Sequence, residues 1–297
     1  MRRHLRAWRR GERLYEAPRI AQVAAMPLTP LRRHVAWPSD HGSWGLLLSP
    51  LVIGLFAGGR WTTASLYMVV AALAGFLVRQ PITIAIKVFS ERRSRQDLLA
   101  ALLWSSVYAT IGLLCVLGLV VHGFPYVLYL AVPGLPVFAW HLVLVSRRAE
   151  RRQVGMQLVG AGALALSAPA AMWVGVGRPE SLGWLLWVLV WAQSAAAIMV
   201  AYLRLEQRTL ASVPAIAERL RLGRRALLLT TGTLAGVAAL AASDVVPRWV
   251  WLPYVLLWAE AVRCTLRPAL GAKPRTIGRR QLAVSVVVTV LFVVTWQ

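Results

Sequence analysis

Nine apolar stretches follow one another through this chain, at about residues 44–59, 64–86, 98–121, 124–145, 154–175, 183–203, 226–243, 248–264 and 281–297. A helix crosses a bilayer in roughly 17 to 25 residues at about 1.5 Å each. Read that way, the stretches predict an all-α integral membrane protein of nine transmembrane helices. The eighth is short and carries Pro253 and Glu260.

Charge tests the count independently, because loops that stay in the cytoplasm keep their Lys and Arg. With the amino terminus inside, segments 1–43, 79–97, 146–153, 204–225 and 263–280 carry 9, 5, 4, 6 and 6 basic residues, 30 of the chain's 33. The outer loops hold only Arg60, Arg178 and Arg248. One span more or fewer would scramble every later loop, so the split predicts the amino terminus inside and the carboxyl terminus outside.

Composition agrees: 58% hydrophobic and 15% charged residues exclude a soluble domain. The net charge of +22 does not point to nucleic acid, because it is spread over five membrane edges, where topology and anionic lipid account for it. Only Lys87 and Lys273 are lysine, a bias that weakens an argument from any single arginine. Cys115 and Cys264 stand alone in separate apolar segments, with neither disulfide nor metal spacing. No apolar run follows the basic start before residue 46, so a cleaved signal peptide is not expected.

The chain divides into a basic cytoplasmic tail, residues 1–43, and a nine-helix transmembrane domain, residues 44–297. In the tail, Arg2, Arg6, Arg9 and Arg13 recur at helical spacing with Leu5, Trp8 and Tyr15 on another side. That fits an amphipathic helix on anionic lipid, and a disordered basic tail reads the same way. Within the membrane domain, "LLLSPLVIG" (Leu46 to Gly54) has an echo in "ALALSAPAAMWVG" (Ala163 to Gly175), four helices later and so pointing the same way. Pro and Gly are common in transmembrane helices, which is the plain alternative to a repeat.

Three stretches could carry chemistry, all at expected inner membrane edges. In "WPSDHGSWGLLLSP" (Trp37 to Pro50), Ser39 or Asp40 suits an N-cap, Trp37 and Trp44 an interfacial belt, and Gly42 and Gly45 a close helix approach. His41 is left over, able to bind an anionic headgroup or move a proton. In "RQPITIAIK" (Arg79 to Lys87), Arg79 lies roughly 22 Å along its helix, where a charge needs a partner or a wet cavity. Pro81 also frees the carbonyl of Leu77 beside it; snorkelling to the interface would serve equally. In "YLRLEQR" (Tyr202 to Arg208), Tyr202 and Glu206 share one face and Arg204 and Arg208 another, although a solvated helix end looks alike. Glu260 and Arg263, three apart, fit an intramembrane ion pair.

"HGSWGLLLSPLVIG", "RQP" and the late "GAKPRTIGRRQLAVSVVVTVLF" resemble the YwiC-like family of bacterial membrane proteins, over roughly residues 36–297. The resemblance implies a multi-pass protein of the cell inner (cytoplasmic) membrane and brings no activity with it. Nine spans with the amino terminus inside also resemble the UbiA-type intramembrane prenyltransferases, whose site opens at the inner ends of helices 2 and 6. Those enzymes hold Mg²⁺ and a prenyl diphosphate on two Asp-rich motifs. Here the matching positions read "RQPITIAIK" and "YLRLEQR", without Asp, and the ExxxE pair Glu12 and Glu16 is in the tail. The two-site metal chemistry is therefore not expected.

These observations together predict a UbiA-like bundle that binds an anionic amphiphile, an isoprenoid phosphate or lipid, in a cavity open to the cytoplasmic leaflet. The expected ligand-binding residues are His41, Trp44, Arg79, Lys87, Tyr202, Arg204 and Glu206, with no catalytic residue, metal ligand or cofactor assigned. The expected partners are anionic lipids of the bilayer, and no nucleic acid. A secondary transporter is the runner-up. It would need polar groups at mid-membrane on several helices, for which Gln193 is the clearest candidate. A prenyltransferase with atypical motifs is the third reading.

Overall fold

The computed structural model describes residues 33–37, 41–90, 93–146 and 154–297, and among them the regular structure is helical throughout. The basic tail up to residue 32, the proposed caps Ser39 and Asp40, and the side chain of His41 lie outside the described residues. Each of the nine apolar stretches forms a rod. In order they are α1 (His41–Gly58), α2 (Thr63–Phe89), α3 (Leu98–Val121), a 3-10 turn Pro125–Leu130 running into α4 (Ala131–Ser146), and the pair α5 (Val154–Ala165) and α6 (Ser167–Val176). Then come α7 (Ser181–Gln207), α8 (Ile216–Ala242), α9 (Leu252–Leu266) and α10 (Pro274–Trp296).

Seven of these rods are long and apolar enough to cross a membrane; α1 is shorter, and α9, at 15 residues, spans about 22 Å. Successive turns from Pro247 to Leu252 lengthen the α9 rod backward, which is where the eighth apolar stretch was expected to begin. The fifth stretch was expected as one helix and is two. Pro169 has no N–H for the Ala165 carbonyl, and the chain tightens just before it, with Leu166 N–H donating to Ala163 O and the Ser167 hydroxyl to Leu164 O.

Contact registers show how the rods run. Gly54 faces Ala168 and Gly58 faces Gly175, so α1 and α6 run the same way. Gly45 faces Leu282 and Ser49 faces Thr289, so α10 runs with α1. Trp191 reaches Leu158 O and Trp187 reaches Gly162 O, so α7 opposes α5. Tyr254 meets Leu189 and Gln207 meets Cys264, so α9 runs with α7. Gly223 meets Thr265 and Trp258 meets Thr231, so α8 opposes α9. In the same way α3 opposes α2, through Gly112 at Ala74 and Gly118 at Tyr67. Among the described residues, the basic residues of segments 79–97, 204–225 and 263–280 therefore stand at one end, called here the basic end.

The α5–α6 rod is the centre: 72% of its apolar window is buried, against 11% for α3 and 6% for α4. Exposed Leu113, Leu114, Leu117, Val132 and Leu135 make α3 and α4 an outer apolar wall, as a helix facing lipid must be. The α1–α6 seam brings two helix backbones together. A Cβ on Gly54 would fall 2.2 Å from the Ala168 carbonyl oxygen, and one on Gly175 2.7 Å from the Gly58 Cα. Small residues let two backbones meet there without a side-chain layer between them. The close approach expected at Gly42 and Gly45 is thus displaced along α1: a Cβ on Gly42 would meet nothing within 4 Å, and one on Gly45 only ordinary contacts at 3.7 and 3.8 Å. Residues 42 and 45 stand in the first turn, before the helices converge.

Candidate functional site

Two charged or polar assemblies stand between α1, α7, α9 and α10. The first is at the basic end. Glu260, only 7% exposed, accepts two hydrogen bonds from Arg280, Nε to Oε1 and Nη2 to Oε2, each 2.8 Å. Arg263 Nε adds a third at 3.2 Å and the Cys264 thiol a fourth at 3.2 Å. A planar guanidinium gripping both oxygens of a carboxylate is the strong form of this pair. One carboxylate between two guanidinium groups leaves a single positive charge, and Arg263 Nη2 is buried without a partner among the described residues.

The second assembly is deeper. The Thr289 hydroxyl donates to Ser285 O at 2.7 Å. Its one proton is thereby used, so the 2.6 Å contact between Ser49 and Thr289 has Ser49 as donor. Ser49 can then only accept from Gln193 Nε2, at 3.1 Å. The chain of donors is fixed, and it leaves Gln193 Oε1 buried with no partner among the described residues. The amide lines a small cavity together with Gly45, Ser49, Leu257, Gln281 and Ser285. Leu257 lies one turn before Glu260, and Gln281 follows Arg280, so the ion cluster stands toward the basic end from this cavity.

The residues singled out from sequence fall into separate places. Trp37 stacks on Trp44 at 4.8 Å, Trp44 meets the Phe76 edge at 5.0 Å, and Arg79 lies over the Phe76 ring at 5.3 Å. The opening stretch and Arg79 are therefore joined through an aromatic ladder on α1 and α2. Lys87 stands in the last turn of α2. Tyr202, Arg204 and Glu206 are at the end of α7, and no extended interface joins α7 to α2. Arg204 donates to Arg267 O at 2.7 Å, and Arg219 to Leu266 O at 3.0 Å. Both arginines close the carbonyl end of α9, a favourable place for a cation. Gln207 locks the same end, donating to Cys264 O and accepting from Ala269 N–H, while Glu206 is exposed. Glu260 and Arg263 form the expected pair; Arg280, Ser49 and Thr289 were not anticipated.

The fold and these sites define a polytopic helical membrane protein with polar groups held between its helices. Residues 37–172 match the family described as YwiC-like protein. "Uncharacterized protein YwiC" of Bacillus subtilis (strain 168) is 24% identical over 153 residues, 51% of this chain and 59% of that relative's length. Both comparisons support the YwiC-like family. No solved structure matches. The matched segment includes Ser49 and the Gly54–Ala168 contact of the α1–α6 seam, while Gly175, Gln193, Glu260, Arg280 and Thr289 come after it.

Proposed function

We propose that this protein binds an anionic amphiphile, a lipid or isoprenoid phosphate, with its headgroup at the basic end between α9 and α10 and its tail along the bundle. The reading includes nine crossings in the cytoplasmic membrane, the basic end in the cytoplasm, and a UbiA-like arrangement of helices without the two Asp-rich motifs. The observation that carries it is the Glu260 cluster: one net positive charge and an Arg263 Nη2 that finds no partner among the described residues, next to a cavity. Charge-assisted bonds from arginine to phosphate are strong because donor and acceptor are both ionised. Arg79 and Lys87, on the far side of α1, would hold the anionic surface of the leaflet rather than the same headgroup.

Native mass spectrometry of the protein from nanodiscs containing equal phosphatidylglycerol and phosphatidylcholine tests this. The wild type should retain the anionic lipid, and Arg280→Ala should lower that retention by about tenfold, the equivalent of one charge-assisted hydrogen bond. Equal retention of the two lipids by the wild type would refute it. A secondary transporter is favoured by one observation, that Ser49, Gln193 and Thr289 meet at mid-depth from three helices. Uptake of a polar solute into proteoliposomes that is lost in Gln193→Leu would select that reading.

A further inference from the structure

The cavity between α1, α7 and α10 has a chemical polarity of its own. Its hydrogen-bond chain runs in one direction, from Gln193 through Ser49 and Thr289 to the Ser285 carbonyl. The head of the chain is Gln193, 4% exposed, with its carbonyl oxygen unsatisfied. A bare buried acceptor gives up the hydrogen bonds it had to water, a loss that native proteins avoid by supplying a donor. Among the described residues no side chain supplies that donor, which points to a molecule in the cavity.

Size and charge narrow that molecule. The cavity leaves about 20 Å³ for the centre of a water-sized group, and one water needs about 10–15 Å³ by that measure. One oxygen fits, with little to spare. An ammonium is excluded by energy, since no carboxylate lines the cavity and an unpaired buried cation is prohibitively costly. A neutral donor remains, and of these water or a single hydroxyl fits the space of one oxygen. Gly45, Gln281 and Ser285, toward the basic end, are partly exposed, whereas Ser49, Gln193 and Thr289 beneath them are buried, so entry is from the basic end.

We infer that this cavity is a binding site for one neutral hydroxyl, water or the hydroxyl of a polyol, held by Gln193 Oε1 and reached from the basic end. The site is distinct from the anion cluster at Glu260 and stands whether or not that cluster binds a headgroup. Gln193 fixes the acceptor, and Ser49 and Thr289 position Gln193 by fixing the orientation of its amide.

Cysteine reactivity in nanodiscs tests it. In a Cys115→Ala, Cys264→Ser background, Ser285→Cys and, separately, Ala197→Cys place a thiol at the partly exposed mouth of the cavity, where a reagent too large for the one-oxygen interior still reaches it, and Val286→Cys places one on an exposed apolar face. A hydrophilic thiosulfonate attacks only as fast as water lets the thiol ionise, so the cavity thiols should react at least about tenfold faster than Val286→Cys. Two cavity positions guard against one variant misfolding. Molar glycerol should slow the cavity reaction, its triether 1,2,3-trimethoxypropane should not, and Gln193→Leu should abolish the glycerol effect. Absence of any glycerol effect, with fast labelling retained, assigns the site to water. Labelling no faster than at Val286→Cys, or glycerol protection that survives Gln193→Leu, overturns the inference.

Discussion

Glu260 holds two arginines with one carboxylate, and the loss of each partner has a different consequence. Glu260→Ala leaves two guanidinium groups facing each other across a partly buried gap. Because Arg263 and Arg280 are 36% and 40% exposed, water relieves some of this, and the expected loss is about 1–3 kcal/mol rather than the larger cost of a fully buried orphan charge. Thermal unfolding in detergent should show Glu260→Ala well below wild type and Arg280→Ala in between, since Arg263 still pairs with the carboxylate. Equal midpoints for all three would mean that the cluster contributes nothing to stability. At this scale the sequence was half legible. Glu260 and Arg263 are readable because three residues apart on a helix are neighbours. Arg280, 20 positions on, belongs to a different helix, and only packing brings it there. Gln193 stood out as an amide in an apolar run, whereas Ser49 and Thr289 did not, because hydroxyls in such helices usually bond to their own backbone.

The α1–α6 seam is where elements, not side chains, decide the fold. Two parallel helices meet at Gly54 and Ala168 and again at Gly58 and Gly175. Gly54→Leu puts a branched side chain where a carbonyl already stands, so the helices must separate, and the expected cost is about 3 kcal/mol or more. Gly42→Leu, with open space around its Cβ, should be nearly neutral. Chemical denaturation of the two variants in one detergent checks the contrast, and a Gly42→Leu variant as unstable as Gly54→Leu would contradict the seam. The Ser-Pro-Gly echo had marked both helices in the sequence, and their common direction followed from the even number of crossings between them. That they touch was not legible, because periodicity describes one helix at a time. The same limit hid the break at Leu166: Pro169 is visible, but whether a proline kinks or splits its helix depends on what packs against it.

For the whole molecule, the alternation of the rods and the gathering of the described basic residues of segments 79–97, 204–225 and 263–280 at one end are the same fact seen twice. The charge pattern was legible because it is a property of loop order and needs no knowledge of packing. The place of the polar cavity was not: the sequence pointed to the ends of α2 and α7, and the polar groups that meet do so between α1, α7, α9 and α10. The proposed topology requires all nine rods to cross the membrane with the basic end inside, including the short α1 and α9. A topology reporter fused after residues 60, 122, 178 and 246 should read the outside, and after 90, 150, 215 and 272 the inside. That alternation through all eight fusions is the predicted result. Two adjacent fusions reading the same side, above all those at 246 and 272 that flank α9, would contradict it.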